Sequence, residues 1–236
     1  MSIIDISFDV YSDTPDSKDP DAYSPTLAKY HKILWSKPLP NGTNFDLNDN
    51  HSIPRRLHHK SELGKFVLSS DSIGHTYSKS KVKGMSHIVS QVSDEEIDSF
   101  YSKCRTIGGY ILFPSNRVEN KMTINGARGL NSKIKDRFDL TLECIRCFYA
   151  NETSPLSDTL MRYSTFFNLF QNFKGYVDFF LLQDLVTEDN LSIKFYLPFN
   201  GFNNNPLPNN VDEYLLYKNT VMEFITARNK RIHNSI

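Results

Sequence analysis

Apolar residues recur at helical spacing in the part of the chain that follows residue 129. The stretch "LNSKIKDRFDLTLECIRCFY" (130–149) places them three or four positions apart, at Leu130, Ile134, Phe138, Leu142, Ile145 and Phe148. Such spacing lines one face of an α-helix, which must be buried against another element. The stretch 211–232 has a similar character, with inward candidates at Val211, Leu215, Met222 and Ile225. We therefore predict a mainly helical C-terminal half.

The first half instead contains short apolar runs that are typical of β-strands. "TIGGYILFP" (106–114) is predicted to be a buried strand, and 3–10, 65–71, 86–92 and, later in the chain, 191–199 are further strand candidates. Helices lie between them, because Ser24 precedes a proline at a helix start and Ser93 forms a capping box with Glu96. The sequence thus predicts an α+β fold, with a small mixed sheet from the N-terminal half packed against the helical half.

The length of the chain favours one domain. No convincing linker divides the 236 residues, so we treat 1–236 as a single unit with a soft division near 115–129, and the polar segment 43–92 has no clear interpretation. No stretch has the character of a signal peptide or of a membrane span. Three cysteines are too few for a disulfide framework and suit a reducing compartment. We therefore expect a cytoplasmic protein that does not associate with membranes.

The sequence lacks the spacing of a metal or cofactor site. The histidines at positions 31, 51, 58, 59, 75 and 87 follow no repeated ligand pattern. Cys144 and Cys147 form a C-x-x-C pair inside a predicted helix, without the second pair that a zinc site needs. "SSDSIGHTYS" (69–78) contains Ser, Asp and His, but it is not a nucleophile elbow. We predict neither a metal nor a cofactor, and no hydrolytic triad.

The motif that suggests a reaction most directly lies in the last predicted helix. Arg228, Asn229 and His233 follow the spacing Arg-Asn-x-x-x-His. Asn229 and His233 are four residues apart and share a helix face, with Arg228 one step around. Imidazole can move protons near neutral pH, and guanidinium offers a fixed fork to a phosphate. The alternative is that these residues are cations that stabilise a helix C-terminus.

This motif resembles the signature of the HEPN-superfamily ribonucleases, many of which are defence or toxin proteins. The resemblance implies metal-independent RNA cleavage at a composite site formed by two protomers. It assigns acid–base catalysis to His233, stabilisation of the phosphate's developing charge to Arg228, and orientation of this pair to Asn229. It also implies RNA as the substrate, a homodimer, and an antitoxin or other defence protein as partner.

A basic segment supports a non-catalytic alternative. The chain has 27 acidic and 27 basic residues, yet the stretch 117–137 carries cations at Arg117, Lys121, Arg128, Lys133 and Arg137. A glycine-rich turn that enters a helix can bind phosphate through its backbone amides. The alternative prediction is a binding or interaction protein that recognises a phosphate-bearing ligand or partner. The simpler interpretation of the segment is a solvated loop followed by a helix.

A longer resemblance brings no activity with it. It is carried by "SPTLAKYHKILWSKPLPNG" (24–42), "GGYILFPSN" (108–116), "INGARGLNSKIKDRFDLTLECIR" (124–146) and "FKGYVDFFLLQDLV" (173–186). These stretches are similar to a widespread bacterial family of uncharacterised proteins, nearly end to end. The resemblance implies a bacterial, intracellular protein of one domain.

Overall fold

The structure is a computed structural model that describes residues 4–49, 54–78, 82, 84–189 and 191–236. Within these residues the helices are α1 (Pro20–Tyr23), α2 (Pro25–Trp35), α3 (Met85–Val89), α4 (Asp94–Cys104), α5 (Ile124–Leu130), α6 (Phe138–Ala150), α7 (Ser157–Arg162), α8 (Ser164–Asn168), α9 (Phe173–Phe179) and α10 (Val211–Asn234). The strands are β1 (Asn48–Asp49), β2 (Leu57–Ser61), β3 (Gly64–Ser72) and β4 (Tyr110–Pro114). Two 3₁₀ turns cover Ile107–Gly109 and Gln183–Leu185.

The four strands form one antiparallel sheet in chain order, β1-β2-β3-β4. β2 and β3 pair as a hairpin that closes where Ser61 lies opposite Gly64, and β3 pairs with β4 up to Ser72 opposite Tyr110. The predicted α+β fold, with a small sheet in the first half and helices mostly in the second, is confirmed. The sheet is not mixed, because each pair of neighbouring strands runs in opposite directions.

Local capping signals determine where the early helices begin. The Ser24 hydroxyl accepts the Leu27 N–H at 3.0 Å and starts α2, with Pro25 at the first helical position. The Ser93 hydroxyl accepts the Glu96 N–H at 3.3 Å and starts α4. Both starts lie where the sequence predicts them, since a cap needs only residues close in the chain.

The helical pattern that begins at residue 130 is broken in the structure. Leu130 ends α5 and is 73% exposed, and the next helix, α6, begins only at Phe138. Lys135 and Asp136 lie between them with φ angles of 48° and 61°. Positive φ values cannot continue a right-handed helix, so the chain turns there instead of extending one long helix.

Two of the predicted strands are wrong because local bonds take their place. Residues 86–92 include most of the short helix α3. Residues 4–10 form turns in which the carboxylates of Asp5 and Asp9 accept the N–H groups of Ser7 and Tyr11, and residue 3 lies outside the described residues. Aspartate side chains that bind nearby amides favour turns over strands.

The predicted strand at 191–199 is also wrong, for a long-range reason. The Tyr196 N–H donates to the Asp139 carboxylate at 2.9 Å, and the Leu197 carbonyl accepts the Arg137 guanidinium at 3.5 Å. These backbone groups are therefore bonded to a buried ion pair rather than to a neighbouring strand. In the described part of this segment, β-type pairing is limited to one isolated antiparallel bridge between Val186 and Ile193.

Helix α10 packs across the other elements and completes the core. Its closest neighbours are α4, α3 and the two 3₁₀ turns. The buried apolar side chains form one cluster that runs from Ile4 to Ile232 and draws on both halves of the chain. In the described part of the chain, no helix combines the length and the apolar character needed to cross a membrane.

Candidate functional site

The Arg-Asn-x-x-x-His motif lies in the last turns of α10, and its first two residues point into the core. Arg228 is 0% exposed. Its guanidinium donates to the carbonyls of Gly108 at 2.8 Å and Tyr110 at 2.7 Å, and twice to the carbonyl of Phe180 at 3.2 and 3.0 Å. No carboxylate in the described residues pairs with it, and burial lowers the pKa of Arg228 to about 10. This arginine thus joins α10 to the start of β4 and to the end of α9.

Asn229 completes the same connection, whereas His233 does not take part. The Asn229 amide accepts the Gly108 N–H at 2.8 Å and donates to the Thr106 hydroxyl at 2.8 Å. His233, one turn later, is exposed. The structure therefore brings Arg228 and Asn229 together around the 3₁₀ turn Ile107–Gly109, but it leaves His233 at the surface.

The five cations of the segment 117–137 that are predicted to meet a phosphate are divided in a similar way. Arg117, Lys121 and Lys133 are exposed, and Lys121 pairs with Glu119 at 2.8 Å. Arg128 and Arg137 are buried in two separate ion pairs. Since the two buried guanidinium groups already have protein partners, only the three exposed cations are placed to meet a phosphate.

A cleft of about 360 Å³, with polar and aromatic residues in its lining, lies at the end of β3. Its walls come from α1, from the residues that end and follow β3, and from the end of α4. The polar and aromatic residues that line it are Tyr11, Asp19, Asp21, Ser70, Asp71, Ser72, His75, Thr76, Tyr101, Cys104, Arg105 and Tyr110. Concave polar sites with buried titratable groups are the usual location of ligand binding and of chemistry.

Asp21 is the most perturbed acid in this cleft. It lies on α1, whose start is capped by Asp19, and it accepts the Ser70 N–H at 2.5 Å. The Arg56 guanidinium lies 4.0 Å from its other oxygen. Burial raises the pKa of Asp21 to about 7, although the hydrogen bond from Ser70 acts in the opposite direction. Asp21 can therefore exchange a proton near neutral pH.

Asp71 is a second buried acid, held by partners on the core side. It accepts the Arg128 guanidinium at 2.5 Å and the Ser72 N–H at 2.9 Å. Burial raises the pKa of Asp71, and the charge and hydrogen bond of Arg128 oppose that rise. Arg128 is itself fixed by the carbonyls of Ser72 and Asp136. The basic segment thus contributes one cation to the support of the cleft.

Ser70, which lines the cleft, contacts the buried His31, but this contact does not make Ser70 a nucleophile. The Trp35 indole N–H donates to His31 Nδ1 at 3.0 Å, so the proton of neutral His31 is on Nε2, which lies 2.6 Å from the Ser70 hydroxyl oxygen. Burial lowers the pKa of His31 to about 3. His31 therefore cannot accept the Ser70 proton. Burial also raises the pKa of the Cys104 thiol to about 12, which keeps it protonated.

An internal cation already occupies the aromatic side of the cleft. The Arg105 guanidinium lies 4.5 Å from the ring centroid of Tyr11 and 5.0 Å from that of Tyr101. Its nearest carboxylate is Asp9 at 3.6 Å. Burial lowers the pKa of His75, and the Asp136 carboxylate, 3.7 Å from its Nε2, opposes that shift. Cation–π contacts at these distances are attractive, so this wall suits positive charge.

Sequence reasoning did not identify this cleft. Segment 69–78 contains Ser, Asp and His but predicts no hydrolytic triad, and the structure places residues from it along one wall of the cleft. The Asp-rich turn before α1 supplies the other wall. The acidic turn and the polar end of β3 are both visible in the sequence. That they lie side by side becomes apparent only in the folded structure. Among the described residues, no group of three or more His, Cys, Asp and Glu side chains is placed to hold a metal ion.

Comparisons with known proteins give a family without an assigned activity. No curated protein and no solved structure matches the chain. A family model described as "Family of unknown function (DUF6994)" matches residues 4–232, which confirms the predicted membership of an uncharacterised family. Because this match covers nearly all of the 236 residues, the chain belongs to the family of unknown function DUF6994.

Proposed function

We propose that the protein binds a small organic cation, an amine or a guanidine, in the cleft. The observation that carries this proposal is the acidic lining, in which Asp19, Asp21 and Asp71 lie beside one arginine and one histidine. Arg105 lies 3.6 Å from Asp9, and Arg128 pairs with Asp71. Among the described residues, the lining acids outside a close ion pair are therefore Asp19 and Asp21, and Arg56 lies 4.0 Å from Asp21. A cation of about ten heavy atoms fits a site of this size.

The aromatic wall supports the same ligand class. The guanidinium of Arg105 lies 4.5 Å from the ring centroid of Tyr11 and 5.0 Å from that of Tyr101. Tyr110 adds a third ring to the lining. Carboxylates combined with aromatic faces are the chemistry that recognises organic ammonium groups. The exposed ring of Tyr11 can therefore also meet the apolar part of a ligand.

Asp21 makes the proposed binding dependent on pH. Its pKa of about 7 means that the carboxylate gains its charge as the pH rises through neutrality. A bound cation favours the ionised form, so binding near pH 7 releases a proton. Because Asp21 is mostly ionised at pH 8 and mostly protonated at pH 6, affinity for a cation should fall roughly tenfold between these values.

Three probes of similar shape test the proposal. Benzylamine, benzyl alcohol and benzoate are titrated at pH 8 and pH 6 and followed by NMR shifts, with agmatine as a second cation. We expect benzylamine and agmatine to bind at pH 8, the alcohol to bind weakly, and benzoate least. Asp21→Asn should weaken cation binding at least about tenfold, whereas Asp16→Asn, an exposed neighbour, should not. Equal binding of benzoate and benzylamine, or no binding of either cation, would contradict the proposal.

Stability provides the folding control for Asp21→Asn. The pKa of Asp21 is higher in the folded chain than in the unfolded chain, so ionising it costs folding free energy. Asparagine resembles the protonated form, and its advantage should grow from pH 4 to pH 7 and then level off, at up to ~4 kcal/mol. The melting temperature of the variant should therefore exceed that of the wild type more at pH 8 than at pH 5.

Metal-independent RNA cleavage, as the HEPN resemblance implies, is the second candidate function. The observation that favours it is the exposed His233 beside the exposed Lys230, on a helix end that also carries Arg231. The buried Arg228 and Asn229 would act in such a site only through rearrangement. A homodimer and an antitoxin or defence partner belong to this candidate alone.

The histidine offers a clean test of RNA cleavage. Purified wild type, His233→Ala and His87→Ala are incubated with labelled total RNA in EDTA, and the products are examined for cyclic-phosphate ends. His87 is an exposed histidine on α3 and serves as the matched control. Cleavage that is lost with His233→Ala and kept with His87→Ala would support catalysis, with an expected loss of about 10²-fold or more for an acid–base residue. Absence of cleavage by the wild type would exclude this candidate.

A further inference from the structure

A second cavity, distinct from the acidic cleft, has a lysine at its wall. It has a volume of about 490 Å³ and lies between the segment that follows α2 and helix α9. Its apolar lining comes from Pro38, Leu39, Pro40 and Phe179, and two lysines, Lys37 and Lys174, also line it. The two lysines share one cavity but differ in their surroundings.

Lys37 is held by aromatic rings rather than by an acid. Its ammonium nitrogen lies 5.0 Å from the ring centroid of Trp35 and 4.8 Å from that of Phe179. No carboxylate in the described residues forms an ion pair with it. Lys174, by contrast, has a side chain that is 68% exposed and pairs with Asp178 four residues along α9. Ring contacts stabilise a cation less than a direct carboxylate pair does when the site is partly buried.

A buried positive charge lies near the same Trp35 ring as Lys37. The Arg228 guanidinium is 5.7 Å from the centroid of the same Trp35 ring, and carbonyl oxygens are its hydrogen-bond acceptors. Burial, together with the smaller effect of the Arg228 charge, lowers the pKa of Lys37 to about 8 against the opposing charge of Asp178. A lysine that is desolvated and close to another cation is the usual form of a nucleophilic amine.

We infer that Lys37 is a nucleophilic amine that condenses with an aldehyde bound in this cavity, at a site separate from the proposed cation cleft. The nitrogen lone pair forms a bond to the carbonyl carbon, and the amine loses its two protons as the carbonyl oxygen leaves as water. The product is an imine, and no oxidant or reductant takes part. The proline and phenylalanine walls suit an aldehyde with an apolar or aromatic body.

Reductive trapping measures this reactivity directly. The intact protein is treated at pH 7.5 with a low concentration of benzaldehyde and sodium cyanoborohydride, and labelled lysines are identified by peptide mass spectrometry over time. A lower pKa leaves more neutral amine but weakens each amine as a nucleophile, so the net rate at Lys37 should exceed that at Lys174 roughly tenfold. The labelling rate at Lys37 should follow its neutral fraction, reaching half of its maximum near pH 8 and levelling off above that pH.

Two variants make the assignment specific. Lys37→Arg should remove the fast-labelled site, and Lys174→Arg should leave it unchanged. Should Lys37→Arg fail to fold, the comparison of the two lysines within the wild-type protein still decides the question. Labelling of Lys37 at or below the rate of Lys174, or a rate at Lys37 that keeps rising well above pH 8, would overturn the inference.

Discussion

Replacing Arg228 with alanine is expected to reduce the free energy of unfolding by about 2–4 kcal/mol. The substitution removes four hydrogen bonds and leaves the carbonyls of Gly108, Tyr110 and Phe180 without that donor in the core. Relief from burying a lone cation offsets part of this loss. The side chain also fills space against Trp35, so its removal leaves a cavity.

Urea denaturation measures the effect, with Lys230→Ala as the matched control. Lys230 is exposed on the same helix, and its replacement should change stability by less than ~0.5 kcal/mol. A loss below ~1 kcal/mol for Arg228→Ala would show that its carbonyl contacts contribute little. The expected instability also means that loss of RNA cleavage in an Arg228 variant would not identify a catalytic residue, whereas a change at exposed His233 would.

Asp139→Ala is expected to be at least as damaging, with a loss of about 3–5 kcal/mol. Asp139 is fully buried and accepts two hydrogen bonds from Arg137 and one from the Tyr196 N–H at 2.9 Å. Arg137 in turn donates to the Pro206 carbonyl at 2.8 Å. Without Asp139 the buried guanidinium has no counter-charge within this group. A buried charge without a partner is strongly destabilising.

Thermal and urea unfolding test this second expectation against an exposed pair. Glu119 and Lys121 form a 2.8 Å ion pair with both side chains more than half exposed, so Glu119→Ala should leave the stability nearly unchanged. Asp139→Asn keeps an acceptor for Tyr196 and should recover part of the loss. Similar stabilities for Asp139→Ala and Glu119→Ala would contradict the structural role of the buried pair.

Much of the helical framework could be predicted because its signals are local. Ser24 and Ser93 each bind an amide three residues away, so the starts of α2 and α4 are contained in a few adjacent residues. The strand predicted at 106–114 is confirmed for 110–114, whose five residues are all buried, whereas 107–109 form a 3₁₀ turn. The α+β fold class followed from these elements.

The candidate sites could not be predicted in the same way, because they depend on residues far apart in the chain. Asp21 meets Ser70, and Arg128 meets Asp71, only after the sheet and α1 have packed. The position of Arg228 did have a sequence signal. It continues the inward row of Val221, Ile225 and Ile232 at helical spacing, so the period of α10 predicts a buried side chain there, against the usual exposure of arginine.

The contacts of α10 also bear on the order in which the chain folds during synthesis. Residues 106–110 leave the ribosome more than a hundred residues before Arg228 and Asn229, which later bind their backbone groups. Until α10 is synthesised, those backbone groups must form hydrogen bonds with water, and the apolar side chains that α10 covers stay exposed to solvent. The core is therefore completed only once α10 has been synthesised and has docked, and until then the nascent chain exposes apolar surface that favours aggregation.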